Sequence, residues 1–299
     1  MGLALGIDAA WTARGSSGVA LLECTNHRCR LIAYAPSYAE FINFSNADSV
    51  DWRKPAGGRP DVSQLLKAAK SLGGAPVDVV AIDMPMSRIE ISARRPADDA
   101  VSCVFGKYGA STHSPTPERP GEFGAWLTQQ FLDEGFSLRT DQSQPRQASL
   151  IEVYPSAALI RLMEIKKRLP YKVSRSGRYW KKTSVAERIK RLRTVWGPLI
   201  GFLGDEIAGL EETVPSDVQR LNAMKPHEDV IDAVISAYVG VLFVNGMTEP
   251  HGDADSAIWV PKIGGMTLRA EQTERLSTLA RDLSAWELAD AARRAACNQ

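Results

Sequence analysis

The sequence predicts an α/β sandwich with a mixed sheet, and three observations carry that prediction. Short apolar runs at residues 3–7, 19–23 and 30–34 follow one another closely at the start. Further apolar runs at 77–82 and 149–154 alternate with segments of helical period. A long apolar helix pattern at 227–244 closes the series. Three strands, a helix, a strand, more helices, and then a further strand and helix fit a sheet covered on both faces.

Each element has a local reason. Residues 3–7 form a continuous apolar run, as in a strand buried on both faces. Gly15-Ser-Ser-Gly18 is a turn that returns the chain into 19–23. A polar stretch with Asp51, Pro55, Gly57, Gly58 and Pro60 precedes a helical run at 62–72, which Gly73-Gly74 ends. The strand at 77–82 leads into a Pro-, Arg-, Ser- and Thr-rich excursion over 84–120 with one short helix. Residues 122–132 are helical by pattern. After the strand at 149–154, Pro155-Ser156 opens a helix to about 169, and helices are expected near 184–196 and 202–222. Pro226 opens the helix at 227–244, and 257–260 is a short strand. From 271 the tail is helical, with Leu276, Leu279, Leu283 and Trp286 on one stripe. Residues 1–263 read as one domain with a basic helical insertion around 161–222, and 264–299 as a C-terminal helical extension.

Composition is that of a globular chain, 44% hydrophobic and 24% charged over 299 residues. No apolar run reaches the length of a membrane span, and residues 1–7 lack the basic leader of a signal peptide. A cytoplasmic protein with no membrane partner is expected. Cys24, Cys29, Cys103 and Cys297 show no disulfide framework. Cys24 and Cys29 bracket His27, a pattern that falls short of paired zinc ligands. Charge is unevenly spread. Residues 161–193 hold 13 Lys or Arg against two Glu, while the other 266 residues hold 23 basic and 33 acidic side chains. An acidic body with one basic segment suits an anionic partner that the body alone would repel.

The carboxylates suggest the chemistry. Asp8 ends the first apolar run in Gly-Ile-Asp, and Asp83 ends another in Ala-Ile-Asp. Strand ends of this kind face the crevice where open α/β sheets bind ligands. Neighbouring strands would set the two side by side, about 4.8 Å apart. Asp229 and Asp232, three apart, share a helix face surrounded by Val230, Ile231, Val234 and Ile235. An Asp inside such a helix needs a partner. Two carboxylates about 4 Å apart repel by about 4 kcal/mol at an effective dielectric of 20, so convergence requires a cation. Oxygen ligands favour Mg²⁺ or Mn²⁺.

Gly-Ile-Asp8, Ala-Ile-Asp83-Met-Pro, Arg95-Pro-Ala-Asp98, Ile-Glu152-Val-Tyr-Pro155, Glu-Asp229-Val-Ile-Asp232-Ala and Ile258-Trp-Val-Pro261 together resemble the predicted RNase H-fold nucleases filed as domain of unknown function number 429. The ordered set covers about residues 3–262. Its last acidic helix is also similar to that of RuvC-type junction resolvases. The resemblance implies an RNase H-like fold with a mixed five-stranded sheet, flanking helices, helical insertions and a C-terminal helix. It implies a nuclease in which Asp8, Asp83, Asp229 and Asp232 are catalytic and hold Mg²⁺ or Mn²⁺. Glu152 has no clear counterpart in the resolvase pattern. It is either an extra metal ligand or the partner of Arg94 or Arg95.

Within the basic segment, Tyr171, Tyr179 and Trp180 interleave with Lys172, Arg175, Arg178, Lys181 and Lys182. Phosphate-neutralising charge beside stacking aromatics suits nucleic acid, DNA or RNA, and the stretch before Ser184 is expected to be a mobile loop until ligand arrives. His227 stands near the acidic helix as a candidate proton shuttle, Arg95 with Asp98 as an ion pair or phosphate clamp, and His113 in a polar loop without an assigned role. The tail helix is expected to pack on the body or on a second copy in a homodimer. Two other classes compete. An actin- or sugar-kinase-like phosphotransferase would use Gly15-Ser-Ser-Gly18 as its phosphate turn but needs a second phosphate loop, which is not evident. A non-catalytic nucleic-acid-binding protein would keep the fold and lose turnover.

Overall fold

The computed structural model describes residues 2–25, 28–44, 52–142, 148–210, 218, 220–264 and 268–296, without the side chains of 287–296. Three antiparallel strands open the chain: β1 (Gly2–Asp8), β2 (Gly18–Thr25) and β3 (Arg28–Ala35). Helices α1 (Tyr38–Ile42) and α2 (Val62–Gly73) follow, the latter capped by the Asp61 side chain at one end and a left-handed Gly74 at the other. Strand β4 (Val79–Ile82) returns parallel to β1. Next come α3 (Pro96–Phe105), α4 (Glu122–Asp133), β5 (Ser137–Leu138) and β6 (Ser149–Val153), the last parallel to β4. Then follow α5 (Pro155–Leu162), α6 (Ser176–Tyr179), α7 (Val185–Gly204), β7 (Ile207–Ala208), α8 (Leu221–Val244), β8 (Thr248–Gly252), β9 (Ala257–Pro261) and α9 (Ala270–Ala296).

The fold is mixed α/β, as the strand and helix pattern predicts. Its sheet is larger than the expected five strands: among the described residues nine strands run in the order β7-β3-β2-β1-β4-β6-β9-β8, with β5 paired to β6. Beyond β1, β2, β3, β4 and β6, the buried apolar β9 extends the sheet next to β6, and β5, β7 and β8 are short or polar pieces. β8, for example, carries Glu249, Pro250 and His251, and Pro is confined to such peripheral strands.

Alternation along the strands sends side chains to two faces. Leu3, Leu5 and Ile7 of β1 pack with α2 and α4, while Ala4 packs with α5, α7 and α8. Helix α8 is buried around its whole circumference from Pro226 to Phe243; its apolar stretch from Ala233 to Phe243 suits that place, whereas Glu228, Asp229 and Asp232 need partners there. It lies so close to the sheet that only glycine fits beneath it. A Cβ on Gly6 would sit 2.0 Å from the Ala233 carbonyl oxygen, and one on Gly18 would sit 2.2 Å from the Asp229 carbonyl oxygen.

Several helix bounds differ from the periodicity. α8 begins at Leu221, so Pro226 lies inside it and leaves the Asn222 carbonyl without its N–H donor. α5 stops at Leu162, and Glu164 adopts a left-handed φ of 52°. The helix expected at 184–196 is α7, which runs on to Gly204 with Pro198 inside it; of the helix expected at 202–222, residues 207–208 form β7 instead, and 211–217 and 219 lie outside the described residues. Cys24 and Cys29 are joined in a disulfide, contrary to the cysteine reading: β2 and β3 pair them directly, with Cα atoms 4.2 Å apart. His27 lies outside the described residues. Helix α9 packs on α7, and Leu279 is buried from the expected stripe while Leu276, Leu283 and Trp286 are partly buried. Among the described residues no helix is long and apolar enough to cross a membrane.

Candidate functional site: an acidic cleft at the strand ends

Asp8 has the parity of Ala4 and Gly6, and Asp83 that of Val79 and Ala81, so both carboxylates point to the α8 face. Ile7 pairs with Ile82, and the Asp83 N–H donates to the Ile7 carbonyl at 2.8 Å, which continues the ladder and sets Asp83 beside Asp8. Gly18, the register partner of Asp8, admits the α8 backbone at Asp229. Strand ends and helix thereby bring Asp8, Asp83, Asp229 and Asp232 to one place, with Glu228 added from α8. A cleft of about 290 Å³ opens there, lined by Asp8, Asp83, Glu228, Lys172 and Lys225 among others.

The α8 carboxylates already have partners. Lys172 Nζ donates to Asp232 Oδ2 and lies 3.8 Å from Glu228, while the Tyr171 hydroxyl donates to Asp232 Oδ1 at 2.6 Å. Lys225, one helical turn before Glu228 and Asp229, pairs with both. The Val173 N–H donates to the second Glu228 oxygen. Asp8 and Asp83 differ: among the described residues neither side chain takes a hydrogen bond or an ion pair.

The electrostatics follow from that geometry. Burial, then Asp229 and Asp232, push the Asp8 carboxyl well above the usual range, against the pull of Lys172 and Lys225. Burial raises Asp83 to about 7; Asp232 and Glu152 add to this, and Lys172 and Arg168 oppose it. Burial raises Glu228 as well, with Asp232 and Asp229 adding to it and Lys225 and Lys172 opposing it. Burial disfavours charge on Lys172 and Lys225, yet the surrounding carboxylates hold both amines above the ordinary lysine value. Five carboxyl groups face two ammonium groups, and Arg168 and Arg175 line the same cleft. As the side chains stand, no group of three or more described His, Cys, Asp or Glu residues is arranged to hold a metal ion.

Glu152 belongs to a different arrangement. It pairs in register with Ile82, so alternation turns it to the sheet face away from α8. Arg95 donates to it through Nη1 at 2.6 Å and Nη2 at 2.7 Å, and the Met86 N–H donates at 2.8 Å. Arg95 also holds Asp98 at 3.0 Å and the Met86 carbonyl at 2.7 Å. Of the two roles open to Glu152 and to Arg95, the geometry is that of a buried ion-paired brace. Arg94 pairs instead with Asp99, at 2.5 Å.

The basic segment divides in two. Tyr171 and Trp180 are buried core residues and not the stacking surface that the sequence suggests. Apolar rings of that size bury whenever the core offers room. Lys172 turns inward to the acids, and Arg175 donates to His113 Nε2 at 2.7 Å. Arg178, Lys181 and Lys182 are exposed. The stretch expected to be a mobile loop is a 3-10 turn at Val173–Arg175 followed by α6. His227 is buried and stacks on Trp52, with ring centroids 4.2 Å apart. Sequence reasoning passed over Glu228, Lys225, Trp11, Arg119 and Arg168. The spacing of Lys225 from Glu228 and Asp229 is legible; the other placements depend on tertiary structure.

An α/β architecture with an acidic cleft at its strand ends is the class that fold and site define. The chain belongs to the family described as "Protein of unknown function (DUF429)", whose model matches residues 6–256. No curated protein and no solved structure matches the chain.

Proposed function

We propose that the protein is a divalent-metal-dependent nuclease of RNase H-like fold that hydrolyses phosphodiester bonds. The observation that carries this reading is the pair Asp8 and Asp83, half-buried side by side on neighbouring strands, with no partner for either side chain among the described residues. The strand order supports the fold assignment: β3-β2-β1 antiparallel, then β4 and β6 parallel to β1.

The donor set fits a hard cation, since it offers only oxygen. Asp8, Asp83, Asp229 and Asp232 would hold the ion, and the two lysines would give up Asp229 and Asp232 to it. Glu152, spent on Arg95, drops out of the ligand set. When bound, such an ion activates water and stabilises a leaving oxygen. The chain's own part is to hold the carboxylates together against their repulsion. Tyr171 fixes one Asp232 oxygen, and the Val173 N–H fixes Glu228.

The test is Mn²⁺ titration by calorimetry into wild type, Asp8→Asn and Asp232→Asn, followed by labelled single-stranded and branched nucleic acids. Wild-type binding and cleavage, both lost in the variants, are expected. The lysine pairing of Asp229 and Asp232 favours one competing reading, a nucleic-acid-binding protein whose acids are structural. Wild type that binds no metal, or variants that keep full activity, would move the weight there.

A further inference from the structure

We infer that Arg119, Arg168 and Arg175, gathered around His113, form a phosphate-binding wall, and that Trp11 beside them is the platform for one unpaired base. The inference deepens the nuclease reading: the identification of the anion as a nucleic-acid phosphate rests on it.

Three observations carry the wall. Arg168 and Arg175 line the same cleft as Asp8 and Asp83. Arg168 donates from Nη1 to the Tyr154 hydroxyl at 3.1 Å, but its buried Nε has no acceptor. Arg175 meets only the neutral acceptor His113 Nε2. Among the described residues neither guanidinium, nor that of Arg119, is ion-paired to a carboxylate, whereas Arg95, Arg161, Arg191 and Arg275 all are. A part-buried guanidinium without an anion lacks the partner that its desolvation requires. His113 reports the same excess of charge: burial and then Arg175, Arg168 and Arg119 lower its proton affinity, so at neutral pH the ring accepts from Arg175.

The adjoining hollow supplies the base site. It measures about 380 Å³ and is lined by Trp11, His113, Ser114, Thr116 and Arg119. Trp11, His113 and Arg119 also line the acidic cleft, so the two spaces adjoin across these side chains. Arg119 lies over the Trp11 ring at 5.8 Å. An indole beside guanidinium groups suits stacking of a base with its phosphate neutralised alongside, the chemistry by which single strands are held. A base paired inside a duplex cannot lay its face on Trp11 in a concave space, so the selected substrate is an unpaired strand or strand end. Of the basic residues in the 172–182 segment, Arg175 joins this wall while Lys172 lines the cleft against the acids.

The experiment uses the intact chain in EDTA, with anisotropy of a short labelled single strand, its duplex, and inorganic phosphate as competitor. Single strand should bind at least about tenfold more tightly than duplex. Arg168→Gln and the exposed Arg119→Gln should each weaken both strand binding and phosphate competition. Trp11→Ala should weaken the strand about tenfold and leave phosphate competition unchanged. Equal strand binding by Arg119→Gln and by a folded Arg168→Gln, or a preference for duplex, overturns the wall. Mn²⁺-dependent cleavage separates the two readings. Cleavage with unchanged KM in both Arg variants removes the wall and keeps the nuclease. Strand binding that depends on these residues, without cleavage under any divalent ion, keeps the wall and removes the nuclease.

Discussion

Glu152 and Asp83 end neighbouring parallel strands one register step apart and both line the cleft, yet their partners are opposite. Glu152 lies on one face of the sheet, gripped by both Arg95 Nη atoms and the Met86 N–H. Asp83 lies on the other, beside Asp8, with its side chain bound to nothing among the described residues. Both are carboxylates at a strand end, Glu152 buried and Asp83 half-buried, so burial alone does not mark a reactive site. The difference lies in compensation: one charge is answered by the fold, and the other awaits an answer from outside it. A buried ion pair with its hydrogen bonds complete braces the structure, whereas an uncompensated carboxylate costs stability that only a ligand can return.

Arg95→Ala is expected to break the braced side with the largest effect. It strips Glu152 and Asp98 of their shared cation in the interior, which costs about 3–5 kcal/mol. Chemical denaturation should show the loss, and a change below about 1 kcal/mol would mean that the brace is not what holds α3 to β6. Gly6→Ala attacks the other side without altering any charge. Its new methyl meets the α8 backbone, a clash expected to cost about 1–3 kcal/mol and to push Asp229 and Asp232 away from Asp8. Under the proposed function, Mn²⁺ affinity should fall in Gly6→Ala by more than it does in Arg95→Ala, measured by the same calorimetry at a temperature where both variants are folded.

How far such contrasts are legible in sequence depends on the range of the interaction. Continuous apolar runs place β1, β2, β4 and β6 to within a few residues, because a strand buried on both faces is largely apolar, and the half-exposed β3 is placed by its shorter run at 30–34. Asp8 and Asp83 stood out because a charge directly after such a run needs a reason. The rim strands β7 and β8 did not, since short edge pieces carry little pattern. Alternation would have separated Glu152 from Asp83 once the β4–β6 register was known, but register belongs to the sheet and not to either strand. Lys172 looked like a nucleic-acid contact because a count of charges does not tell an inward lysine from an outward one. Arg168 and Trp11, which are 157 residues apart in the chain, meet only through the folded loops around the cleft.

The comparison is sharpened most finely by pH. The Asp83 carboxyl is held near 7 in the folded chain, against an ordinary value of 3.8. Between these two values the folded protein keeps a proton that the unfolded chain has released, so stability falls as pH rises from about 4 to 7 and levels off above that. Asp83→Asn removes this dependence. It is expected to be more stable than wild type by at least about 1 kcal/mol at pH 8, with the difference shrinking toward zero near pH 4. Glu152→Gln should move the other way, losing stability at neutral pH because Arg95 then lacks its charge partner. Melting temperatures of the three proteins across that range decide the matter. If Asp83→Asn is less stable than wild type at pH 8, Asp83 has an internal partner, and the unpaired carboxylates that carry the functional reading are paired after all. If Mn²⁺ raises the wild-type melting temperature at pH 8 but not at pH 4 and leaves Asp83→Asn unmoved, the charge that the fold leaves unanswered is the one the metal meets.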